Sequence, residues 1–324
     1  MDPRLIPVNA FIALASPRTT SWPNTLFEIG YRLEGLEIPV TAGGGRIVID
    51  GVAFNAATNR FLDAEGKSGN NLKEEQAHRY GLVDPRDLVR LIGVTISAPG
   101  ELSAAPIYVC LEDATQRILL GLEAADCRYP VLSVGAERVV LHGGPPDDPA
   151  IANAFREAVH VPGPPPGVIL VDDHSDDSEF DPIVAAALVA EVAQGSEVIS
   201  CPSIAARGIP YLDLFASGHR NTLLKSVTRA ARRACDAAPE SFEFRDSTQA
   251  RPYAVVKVID SPEKADPRGR TQRYQAIKGR IAGTPPEEVD TTQGSLFDEI
   301  DLAAELEKAD TGEPDTDEPE EESR

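Results

Sequence analysis

The stretch RIVIDGVAFNAATNRFLDAEGKSGNNLKEEQAHRY, residues 46–80, decides how this chain is read. It opens with an apolar run, Ile47, Val48 and Ile49, that follows three glycines and stops at Asp50. That is the pattern of a short buried strand leaving a turn. The spacing predicts a second strand over residues 61–67, and the side-chain period of two puts Asp63, Glu65 and Lys67 on one of its faces. Asn70 and Asn71 then cap a predicted polar helix over 72–80. Gln76 and Tyr80 stand four apart on it and share a face.

An acid at the end of one strand and two acids with a lysine on the next are unusual in a hydrophobic setting. Burying uncompensated charges is costly, so something must satisfy them. A hard divalent cation does so directly, since Mg²⁺ (or Mn²⁺) takes oxygen ligands and is commonly held by one or two carboxylates plus water and phosphate. Asp50 and Glu65 are the expected metal ligands. Lys67 is placed to steady an attacking water and to counter charge developing on a phosphate. Gln76 and Tyr80 offer an amide and a phenol to substrate without adding charge.

Upstream, Asn24 is expected to cap a helix running to about Leu36, with Leu26, Ile29 and Leu33 on one face. Glu28 on that helix becomes a third carboxylate at the metal edge. Helix, strand, strand, helix is the opening of a small α/β domain with a mixed sheet.

The ordered set Glu28, Asp50, Glu65-Gly66-Lys67 and Gln76-Ala77-His78-Arg79-Tyr80 resembles the PD-(D/E)XK nuclease superfamily. It is most similar to the branch with a Q-x-x-x-Y helix after the E-x-K strand, which includes RecB-like nucleases and the nuclease parts of type I restriction subunits. The resemblance covers residues 24–91, about a fifth of the chain, and departs from the pattern in lacking a proline before Asp50. It implies a restriction-endonuclease-like core, Asp50 and Glu65 as metal ligands, Lys67 as the catalytic lysine, and Gln76 and Tyr80 as substrate-side positions. The reaction implied is Mg²⁺-dependent hydrolysis of DNA phosphodiester bonds, in restriction, phage defence or DNA repair, alone or with other subunits of such a system.

Beyond this domain, set at residues 1–135, a Pro/Gly-rich connection with a short helix at 149–159 is expected over 136–166. A second α+β domain follows over 167–283, with a strand at 168–171, a helix at 182–194, a basic helix at 220–235 and a hairpin from 242–245 and 253–258. That order admits a winged-helix module, with Lys225, Arg229, Arg232 and Arg233 contacting DNA. An ordinary α+β domain with an Arg-rich outer face is the other reading. The chain carries a net charge of −21, but residues 218–280 hold 14 basic and 7 acidic residues, a local balance of +7. From residue 281 onward the balance is −14, and residues 284–324 read as a disordered acidic tail. Gln293, Leu296 and Phe297 within it are similar to the short peptides that grip a replication sliding clamp.

Other signals point away from chemistry. Gly66-Lys67-Ser68-Gly69 lacks the earlier glycine of a phosphate-binding loop. The acidic run at 172–177 is better suited to capping the next helix than to holding a metal. Four separated cysteines give neither a zinc knuckle nor a disulfide framework, which fits a reducing cytoplasm. No apolar run has the length of a membrane span and no secretory signal is expected, so a cytoplasmic location without membrane contact is expected. The rival readings are a non-catalytic DNA-binding regulator and an adaptor that binds the sliding clamp through its tail.

Overall fold

Gly43 and Gly44 both adopt left-handed backbone, at φ +56° and +76°. The turn they make folds β1 (Tyr31–Ala42) onto β2 (Gly45–Asn55) as an antiparallel pair. A second turn, with Asn59 at φ +53°, brings β3 (Arg60–Lys67) antiparallel to β2. The chain then crosses over through α3 (Glu74–Tyr80) and α4 (Pro85–Ile92) to β4 (Ser103–Leu111), parallel to β3. A second crossover through α5 (Thr115–Ala124) reaches β5 (Pro130–Val134), parallel to β4. Parallel neighbours need such helical connections. β6 (Arg138–Gly143) returns antiparallel, and after α6 (Pro149–Ala154) the two-residue β7 (Val159–His160) closes the edge. The result is a seven-stranded mixed sheet in which spatial order follows chain order.

The computed structural model describes residues 2–281 except 19–20, 70–71, 97–99, 145–146, 173 and 261–266; the side chains of 267–273 also lie outside it. The chain divides once, into Met1–Thr284 and Pro285–Arg324. Asn70, Asn71, Gln293, Leu296 and Phe297 fall outside the described residues.

Helices cover both faces of the sheet. On one face lies α1 (Ile6–Ala15), in which every residue from Asn9 to Ala15 is buried. A helix buried all round must be covered on two sides. The sheet supplies one through Ala53, Ala64, Ile107 and Val109. The other face of the sheet is covered by α3 and α4 against Ile49, Val52, Phe54 and Phe61, and by α5 against Tyr108 and Val131.

The helix expected from Asn24 to Leu36 shrinks to α2 (Thr25–Glu28). Gly30 at φ +97° ends it, and the residues that follow form β1. Leu33 and Leu36 are buried as strand residues, since pairing with β2 satisfies a longer run of backbone than an isolated helix could.

After β7 the chain runs through α7 (Phe180–Ala193), β8 (Val198–Ser200), α8 (Cys201–Gly208), α9 (Ser217–Ala237), β9 (Phe242–Arg245), β10 (Val255–Val258) and α10 (Pro267–Ile281). The three short strands form an antiparallel sheet in the order β8-β10-β9. The strand expected at 168–171 pairs with no other strand among the described residues. Instead the Asn9 side chain takes the place of one: its Oδ1 accepts from the Val168 and Ile169 amides at 3.0 and 2.7 Å, and its Nδ2 donates to the Ile169 carbonyl at 2.9 Å. The short helix expected at 149–159 ends at Ala154, and the last residue of that range, Val159, joins the sheet in β7. The boundary expected between residues 135 and 167 is therefore not a break. β6 and β7 belong to the large sheet, and one hydrophobic cluster runs from α1 through Val168, Ile169 and Val171 to α7, α8 and α9.

Candidate metal centre

Asp50 sits where β2 parts from β3. The pairing of these strands begins at Gly51 opposite Ala64, so Asp50 lies one position past its end, facing the Glu65 level of β3. The side-chain period also slips here: Ile47 and Ile49 share a cluster with Val52 and Phe54, two odd positions with two even ones. Freed from the ladder, the Asp50 carboxyl reaches across and accepts a hydrogen bond from the Gly66 amide through Oδ2 at 2.7 Å. Gly66 is required for that approach. A Cβ there would stand 2.9 Å from Val8 Cγ2 and 3.2 Å from Asp50 Oδ2. Asp50 Oδ1 accepts no hydrogen bond among the described residues.

Glu65 is nearly buried, at 4% exposure, and each of its oxygens is held. Oε1 accepts from Gln76 Nε2 at 2.9 Å and pairs with the Lys67 ammonium. Oε2 meets the Tyr80 hydroxyl, which also lies 2.8 Å from the Val48 carbonyl oxygen. The one-turn spacing of Gln76 and Tyr80 thus works as expected geometrically, but both side chains grip Glu65. They position a carboxylate, fixing it from α3 while β3 carries it.

The electrostatics follow from this crowding. Asp50 keeps some exposed surface, although protein atoms surround its carboxyl. Burial drives its pKa well above the ordinary carboxylate range, and the charges of Glu65 and Glu37 push it further. The Gly66 amide and Lys67 oppose the rise only in part. Tyr80 and Tyr108 are also pushed up, first by burial and then by Glu65. One ammonium among three acids leaves a local excess of negative charge. A divalent cation between Asp50 and Glu65 would relieve it, so these residues fit Mg²⁺ or Mn²⁺. No group of three or more His, Cys, Asp or Glu residues suited to one metal ion occurs among the described residues.

No family model, curated protein or solved structure matches this chain.

Glu28 is not part of it. It is exposed on α2, just before the end of β1 where Tyr31 pairs with Asn55. Asn55 is five residues along β2 from Asp50, a span of roughly 17 Å in a strand. The acid that does face Asp50 is Glu37, bracketed by the pairs Leu36–Gly51 and Ile38–Ile49. Its left-handed backbone, φ +52°, marks an irregular point of β1.

The basic residues of α9 divide into two groups. Arg229 pairs with Asp177 and Arg233 with Asp181, each at 2.6 Å, while Arg232 pairs with Asp246 and lies 4.3 Å over the Phe244 ring. These three arginines tie α9 to the segment leading into α7, to α7 itself and to the β9 hairpin, with their guanidiniums partly exposed. Lys225 is exposed and has no ion pair among the described residues. The acidic run after residue 171 acts as caps: the Asp172 carboxylate accepts from the His174 amide, and Asp176 with Glu179 forms a capping box.

Proposed function

We propose that this protein is a metal-dependent deoxyribonuclease of the PD-(D/E)XK type. The observation that carries the reading is the meeting of Asp50, anchored on the Gly66 amide, with Glu65 and Lys67 from the adjacent strand. Asp50 and Glu65 would hold Mg²⁺ or Mn²⁺, which when bound supplies charge neutralisation at the phosphate and a more acidic water.

The chain's own residues do the rest. Asp50 Oδ1 is left open by the hydrogen-bond pattern, and Glu65 is kept in one rotamer by Gln76 and Tyr80. Lys67 spends one donor on Glu65 and has two left to orient a water in line with the scissile P–O bond and to offset charge growing on phosphate oxygens. The order α7-β8-α8-α9-β9-β10, with strands arranged β8-β10-β9, is that of a winged helix and supports contact with DNA next to the cutting centre. The same order favours the rival regulator, which would bind DNA and cut nothing.

Purified protein incubated with plasmid, linear and single-stranded DNA decides between them. Cleavage is expected with Mg²⁺ or Mn²⁺, is lost in EDTA, and is lost in Glu65→Ala and Lys67→Ala while binding persists. Cutting that survives Lys67→Ala sinks the mechanism, and binding without cutting in any metal leaves the regulator. Restriction of foreign DNA or DNA repair is the proposed setting.

A further inference from the structure

A cavity of about 670 Å³ opens between α8 and the first turns of α9, away from the acid cluster. Its walls are largely apolar, from Pro202, Leu212 and Leu224, and two guanidiniums stand in its lining, Arg18 and Arg220. Arg18 lies 4.8 Å over the ring of Tyr211. Tyr211 is itself pinned: its hydroxyl is 2.6 Å from Ser16 Oγ, and its backbone is left-handed at φ +60°, an uncommon state for a bulky residue. Neither Arg18 nor Arg220 has an ion pair among the described residues, in contrast to Arg229, Arg232 and Arg233 on the far half of α9. Asp213 is the one acid among the described lining residues.

We infer that this cavity receives one unstacked nucleotide of a single-stranded nucleic acid, its base against the apolar wall and its phosphate on Arg18 and Arg220. The size is within the range of small-molecule sites, and an apolar floor with cations at its side matches a ligand that is flat and apolar at one end and anionic at the other. Arginine planes and aromatic rings are the usual platforms for bases taken out of a stack. The position also suits a strand that continues toward the acids. The Ala216 amide donates to the Leu36 carbonyl at 3.0 Å and Phe215 bridges to Leu36, so the chain leaving the cavity is stitched to β1 one residue from Glu37. The choice of nucleic acid as ligand rests on the proposed nuclease reading; the cavity's charge and shape do not.

The test uses the full chain in a Lys67→Ala background, so that binding is read without cutting. A fluorescent oligonucleotide of about twelve bases is titrated by anisotropy. Arg18→Glu with Arg220→Glu is expected to weaken binding at least about tenfold, with a cooperative thermal transition retained. Arg220→Gln alone, the milder variant, should lie between. A 5-iodouridine oligonucleotide should crosslink to the peptide containing Tyr211. Unchanged affinity in the double variant, absence of single-strand binding by the parent, or a crosslink elsewhere overturns the inference. If the unmodified protein cuts DNA while the double variant binds normally, the cavity assignment falls and the nuclease stands. If nothing cuts but binding depends on both arginines, the reverse holds.

Discussion

Asp63 lies two residues before Glu65 on the same face of β3, fully buried, with neither carboxyl oxygen hydrogen-bonded among the described residues. Desolvation alone raises its pKa to about 8. An unfolded aspartate titrates near 3.9, so between about pH 4 and pH 8 the folded protein keeps a proton that the unfolded chain has lost. Stability from this group is therefore full below the unfolded value and falls as pH rises through the window, by up to about 1.4 kcal/mol per unit. Asp63→Asn should flatten that slope. Urea melts of both proteins at about pH 5, 6.5 and 8 read it, and parallel curves would remove Asp63 as its source. At Tyr80 the expectation is different, because the single phenol proton lies between two acceptors, Glu65 and the Val48 carbonyl. Tyr80→Phe should cost about 1–3 kcal/mol of stability. It should also loosen Mn²⁺ binding by about 10–100-fold, as loss of a group that orients a ligand does. Isothermal titration measures the second effect, and unchanged Mn²⁺ affinity would mean that Glu65 does not need its anchor.

Among the elements, β3 and α3 were legible because their signals are local. A two-residue alternation places Glu65 and Lys67 together, and a four-residue step places Gln76 and Tyr80 together, with no long-range knowledge. β1 was not. Leu26, Ile29 and Leu33 satisfy a helical face, and only pairing with β2 overrides it, although Gly35 and Pro39 are poor helix residues that hinted at the outcome. Misreading β1 hid Glu37, whose place opposite Asp50 exists only once the two strands are in register. The basic helix is legible over 220–235 and extends a further turn or so beyond that, to Ser217–Ala237, but the acids that the α7 region and the β9 hairpin bring to its arginines are visible only in the fold. Exposed pairs of that kind are worth about 0–1 kcal/mol. Arg233→Ala should therefore lower stability by no more than about 1 kcal/mol in a urea melt. Asn9 is the stronger joint. Its amide makes three hydrogen bonds to Val168 and Ile169 from a fully buried position on α1. Asn9→Ala strands the Ile169 amide and carbonyl, while the Val168 amide keeps the Pro166 carbonyl at 2.8 Å, so a loss of about 2 kcal/mol or more is expected in thermal unfolding. A neutral result would show that residues 168–171 are held by packing alone.

Across the whole molecule, charge is distributed so that its total misleads. The part of the chain after Thr284 holds fourteen of the twenty-one net negative charges, and the rest, Met1–Thr284, forms one compact unit containing every residue of the candidate centre. Acidic residues tethered to a DNA-binding protein compete with phosphates for its cations, and the competition is screened within a Debye length of about 10 Å at 0.1 M salt. Truncation after Thr284 should therefore leave melting temperature and metal-dependent cleavage intact. It should tighten DNA binding at low ionic strength, with the advantage shrinking as salt is added. Anisotropy titrations of both proteins over a salt series measure this. If the truncated protein loses its function while Glu65→Ala in the full chain keeps it, the acidic segment is the working part, and an adaptor docking through Gln293, Leu296 and Phe297 replaces the enzyme.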